Sequence, residues 1–133
     1  TMIKLIPLLA LLVSLSGCVT TDPTNLDEAN FVSPKAQAEK TTENNVKITV
    51  VRDHGNLIGS MNSYYVKDND KEIAELKPKD KTVFYTTAGK HRIACAWFTG
   101  QGFEHFSVLS PNEEAVFHCG VYGHGLGYIN RTE

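Results

Sequence analysis

The sequence is poor in the features that mark most enzymes and nucleic-acid-binding chains. Thirteen lysines and arginines against 15 aspartates and glutamates leave a formal net charge of -2, so no cationic excess is present to hold a polyanion, and nucleic acid is not expected as a partner. His54, His91, His105, His118 and His124 are dispersed, with no HExxH, paired CxxC or close His-x-His spacing to aim ligands at one ion, and no metal site is expected. Ser60, Ser63, Ser107 and Ser110 lack a nucleophile-elbow setting. Cys95 and His91, four residues apart on one strand, would be about 13 Å apart, too far for the base to activate the thiol. The glycine-rich stretch 120–127 has neither the lysine and hydroxyl ending of a phosphate-binding loop nor Gly-x-Gly-x-x-Gly spacing. These absences predict a non-enzymatic chain without a cofactor.

Helical periodicity and long apolar runs are also scarce. The one dense apolar run, 5–15, follows Lys4 and is shorter than the roughly 20 residues a permanent helical span needs, so residues 1–17 read as a cleaved export leader. The run ends in Leu15-Ser16-Gly17-Cys18, which resembles the lipobox of bacterial lipoproteins. That resemblance implies a diacylated Cys18 thiol, cleavage before it and acylation of the new amino terminus. Several acyl chains give stable attachment where one is marginal. Val19, where an inner-membrane retention signal would have Asp, implies the outer membrane, with a periplasm-facing domain.

Residues 18–45 follow as the lipidated cysteine and a polar, proline-interrupted tether. Few large apolar residues are available there to offset ordering entropy, so the segment is expected to be flexible, with a reach of roughly 30 Å as a random coil. Asn30-Phe31-Val32-Ser33-Pro34 interrupts it as a chance apolar pair, a docking segment or an extra edge strand.

The folded domain is predicted to be 46–133. Val46, Ile48 and Val50 alternate with polar residues. Turn chemistry at 53–56, 67–71, 77–80, 87–90 and 110–113 separates further short β-favouring segments. Seven or eight such strands predict an all-β domain, a small antiparallel sandwich or a partly closed barrel. In the strand from His91, Ile93 and Cys95 share a face with Trp97; in the last strand Cys119 shares one with Phe117. An exported chain meets an oxidising compartment, so a Cys95–Cys119 disulfide is expected.

The segments Gly59-Ser60, Tyr64-Tyr65-Val66, 71–76 and Phe84-Tyr85-Thr86-Thr87-Ala88-Gly89-Lys90-His91-Arg92-Ile93 resemble the PEGA-type surface modules of small bacterial lipoproteins, with Ala88 where a proline is usual. The resemblance implies a sandwich and a non-enzymatic role. Within the glycine-rich tail Tyr122, His124, Leu126 and Tyr128 supply contact area for a partner, or else form an ordinary bulged terminal strand. The expected function is an adaptor or accessory subunit: membrane lipid holds acylated Cys18, and the domain binds an envelope protein through an exposed strand edge or this tail. The alternatives are an inhibitor of a periplasmic or incoming hydrolase, or a peptide-, glycan- or lipid-binding module.

Overall fold

A computed structural model describes residues 22–54, 62–121 and 126–133; the leader, Cys18, Tyr122 and His124 lie outside the described residues. Among the described residues nine strands form: β1 (Asn30–Phe31), β2 (Val46–Arg52), β3 (Tyr64–Asp68), β4 (Lys71–Leu76), β5 (Asp80–Thr86), β6 (Gly89–Ala96), β7 (Gly102–Leu109), β8 (Glu114–Val121) and β9 (Gly127–Arg131). They make a five-stranded sheet ordered β1-β5-β2-β8-β9 and a four-stranded sheet ordered β4-β3-β6-β7. The two pack face to face as a β-sandwich and do not close into a barrel.

The sandwich is mostly antiparallel, but β2 pairs β8 in parallel and β1 pairs β5 in parallel. The β2–β8 pairing explains why β2 is apolar beyond its alternating residues. Val46, Ile48 and Val50 face the core, yet Thr49 and Val51 on the other face are also buried, as expected of a central strand. The β3–β4 hairpin turns on Asn69 and Asp70, both at positive φ, the two-residue geometry that matches strand twist. Between the sheets, Ile48, Val66, Ile73, Leu76, Phe84, Ile93 and Phe117 fill one continuous core. No helix occurs among the described residues.

The described part of the expected tether is instead docked on the sandwich. Asp22 bridges His54, the Asn30 and Val32 amides donate to the carbonyls of Lys79 and Lys81, and the Lys35 amide donates to Ile73. The Tyr85 amide donates to Gln37, and Val32 and Ala36 pack on the core. Residues 22–37 thus strap one side of the sandwich, running along β5 and crossing to β4. The physical reason is backbone pairing: a polar segment with little apolar area to bury still docks when two sheet edges offer unpaired N–H and C=O groups. The Asn30–Phe31 interruption is accordingly an edge strand.

Candidate functional site

Strands β6 and β8 carry Cys95 and Cys119 from opposite sheets into the core, toward the end at which β2 finishes. Both are buried free thiols, with Cys95 hydrogen-bonded to Cys119. Burial first, and this hydrogen bond second, push the Cys95 thiol well above its ordinary pKa; the nearby Arg52 cation opposes that shift and is outweighed. Arg52 lies in register with Cys119 and is itself buried, its guanidinium 3.8 Å from the centre of the Tyr64 ring. It donates to the carbonyls of Leu76, at 2.9 Å, and Asn62, so a cation from one sheet ties down strand ends of the other. Burial lowers its pKa.

Two buried aspartates organise the polar contacts. Asp68 ends β3 on the inward parity of Tyr64 and Val66. His91 Nδ1 donates to its Oδ1 at 2.6 Å, while the Thr86 hydroxyl (2.5 Å) and Gln37 Nε2 (3.2 Å) donate to Oδ2. The Thr87 hydroxyl lies 3.1 Å from His91 Nε2. A hydroxyl, imidazole and carboxylate are therefore in series, but the carboxylate is shared among three elements and the imidazole is buried. The arrangement fastens the β5–β6 turn and the strap to the end of β3. Asp53, just past β2, accepts from His118 Nδ1 at 2.8 Å, from the Thr24 amide at 3.0 Å and from the Tyr128 hydroxyl. His54 donates its amide to the Thr24 hydroxyl. Each aspartate thus holds one stretch of the strap.

The half-buried His105 sets its ring edge-on against Phe117 of the core, with ring centres 5.3 Å apart. Among the described residues, no group of three or more His, Cys, Asp or Glu side chains is placed to hold a metal ion.

Of the tail residues expected to contact a partner, Leu126 and Tyr128 are described, and they differ. Leu126 is exposed, whereas Tyr128 is half-buried and turned to Asp53. Between them Gly127 has a packing role: an added Cβ would fall 1.5 Å from Cε1 of Phe103, whose ring sits edge-on to Tyr64 and Trp97. Gly127→Ala should therefore cost about 1–3 kcal/mol, read by urea unfolding. The cost should shrink in a Phe103→Leu background, because the two side chains share one volume. Equal costs in both backgrounds would refute the contact.

The most exposed apolar pair lies elsewhere. Phe106 and Val108, 73% and 71% exposed, stand on the outer face of β7, the last strand of its sheet. With Asn69, Asp70, Lys90 and Arg92 they line an open groove of about 440 Å³. Arg92 pairs with Asp70 and, at 3.5 Å, with Glu104. β7 has no proline and keeps unbroken register with all of β6, and among the described residues no strand pairs with its other side, although β9 of the second sheet runs close to it.

Sequence reasoning missed Asp53, Asp68 and Arg52, reading the aspartates as turn residues. For Asp68 a signal was present, since it continues the inward parity of Tyr64 and Val66, as His91 anticipates that of Ile93 and Cys95. Compared with protein-family models, curated proteins and solved structures, the chain matches none of them, so the likeness to PEGA-type modules rests on the quoted residues alone.

Proposed function

We propose that this chain is a lipid-anchored, non-enzymatic adaptor of the bacterial outer membrane, whose sandwich docks another envelope protein. The anchor is Cys18, by its lipobox setting. The observation that carries the docking role is the outer edge of β7, to which no strand pairs among the described residues, with Phe106 and Val108 displayed beside Lys90. An extended segment of a partner adds there as a further strand, main-chain hydrogen bonds supplying affinity and the apolar pair supplying selectivity. Of the two contact surfaces the sequence suggests, the strand edge is favoured over the tail because Tyr128 is committed to Asp53. The filled core favours surface docking over an interior ligand.

The docked strap changes the expected geometry of presentation. With Asp22 already bonded to the sandwich, only four peptide units separate it from Cys18, a span of at most about 14 Å. The domain then works close to the bilayer and does not range from it.

The test is quantitative mass-spectrometric recovery of proteins from gently solubilised membranes, comparing the native chain with Phe106→Glu/Val108→Lys. One envelope protein should copurify near stoichiometrically with the native chain and be lost from the variant, while the thermal midpoint moves little because both side chains are exposed. Recovery unaffected by the double substitution would overturn the β7 assignment. A recovered hydrolase whose activity falls on binding would make the chain an inhibitor instead.

A further inference from the structure

The two ends of the sandwich are chemically unlike. One end is defined by the C-terminal end of β2, where the Lys79 amide donates to Arg52 and the Arg52 side chain reaches the Leu76 carbonyl. Register places the β4–β5 turn, the β6–β7 turn and the start of β9 at this same end. Here stand Phe98, 77% exposed in the β6–β7 turn, and Leu126, 66% exposed before β9; Phe31 on β1 lies one residue further in. These three belong to different borders of the sandwich, since β1 and β9 are opposite edges of one sheet and the β6–β7 turn closes the other. The turns of the far end, Asn69-Asp70, Thr87-Ala88 and 110–113, themselves carry no large exposed apolar side chain; the exposed Phe106 and Val108 stand on the flank of β7 beside the first of them.

The chain enters at the apolar end. Asp22 is bridged to His54, directly after β2, and Cys18 lies within about 14 Å of it along the backbone. We propose that this end is a second, non-covalent membrane contact: Phe98 and Leu126 seat in the interfacial layer of the bilayer that holds acylated Cys18, fixing the domain upright with its polar turns outward. The proposal rests on the lipidation reading and goes beyond it by assigning a membrane-binding face and an orientation. Lys77 and Lys79 are exposed at this end, but so are Asp22, Asp27 and Glu28, so attraction to anionic headgroups is not the driving force. Apolar burial is, and the contact should be insensitive to salt.

Trp97, the single tryptophan, sits beside Phe98 and serves as the probe. The full chain, lipidated and purified from membranes, is reconstituted in phosphatidylethanolamine–phosphatidylglycerol vesicles whose acyl chains are brominated near the headgroup. Trp97 fluorescence should be strongly quenched, equally at low and at molar salt. A dye on Asn112→Cys, about 25 Å away across the height of the sheet, should not be quenched. Phe98→Asp/Leu126→Asp should lose more than half of the Trp97 quenching with an unchanged melting curve in the same vesicles. Chains that float with the vesicles while Trp97 is unquenched would overturn the orientation and leave the anchor intact. Chains that do not float would overturn the anchor and this proposal together. Quenching unaffected by the double substitution would sink the assignment of these two side chains.

Discussion

Asp68→Ala should lower the stability of the domain by about 3–5 kcal/mol, the cost of removing a buried, multiply hydrogen-bonded carboxylate and leaving its donors unmatched. The carboxylate is buried, and its removal strips acceptors from His91 Nδ1, the Thr86 hydroxyl and Gln37 at once. In a domain of this size each kcal/mol moves the thermal midpoint by about 4–8 °C, so the variant should melt some 15 °C lower or more. Asp68→Asn, which keeps one acceptor, should lose less. Asp70→Asn, two residues on, removes the charge of a largely exposed pair with Arg92 while keeping a side chain that tolerates positive φ, and should cost under about 1 kcal/mol. Urea unfolding of the three variants decides the matter: similar losses for Asp68→Ala and Asp70→Asn would show that the buried cluster does not organise this end of the sandwich.

The second large effect belongs to the inter-sheet thiols. Oxidation to a Cys95–Cys119 bond, which we propose for the exported chain, would close a loop of some 24 residues and stabilise the domain by about 3 kcal/mol. The reduced and oxidised chains should also differ in their dependence on pH. Because the folded Cys95 thiol titrates above its ordinary value of 9.0, its contribution to stability is complete at neutral pH and disappears as pH rises through the folded pKa. The reduced chain should therefore weaken at alkaline pH relative to the oxidised one, and the stability gap between them should widen. Burial also denies the native thiols to reagents and disfavours the reactive thiolate. Alkylation of the reduced, folded chain should be slow at pH 8 and fast in denaturant, and oxidation should be efficient during refolding and slow afterwards. Equal melting midpoints for the two redox forms, or rapid native labelling of Cys95, would refute this account.

The strands were legible because their signal is local. Val46-Lys47-Ile48-Thr49-Val50 carries a period of two, and the 67–71 run supplies the residues that tolerate the positive φ of a tight hairpin at Asn69 and Asp70. Cys95 and Cys119 could be aimed inward from their neighbours by the same alternation. The strap was not legible, since residues 22–37 look like any polar linker. Their docking depends on unpaired backbone groups along β4 and β5, which side-chain composition does not report.

The sequence by itself determined that this chain is all-β, where most of its strands fall, and that its two later cysteines point into a core. These follow from side-chain alternation and turn chemistry within a few residues. Only the tertiary structure decided that β2 lies centrally beside a parallel β8, that Asp53 and Asp68 each gather a histidine and a piece of the strap, and that β7 is the last strand of its sheet. It also decided that Phe98 and Leu126 share the end at which the chain enters. Each of those outcomes joins residues tens of positions apart, and such pairings are selected by the packing of whole sheets, which no local window of sequence contains.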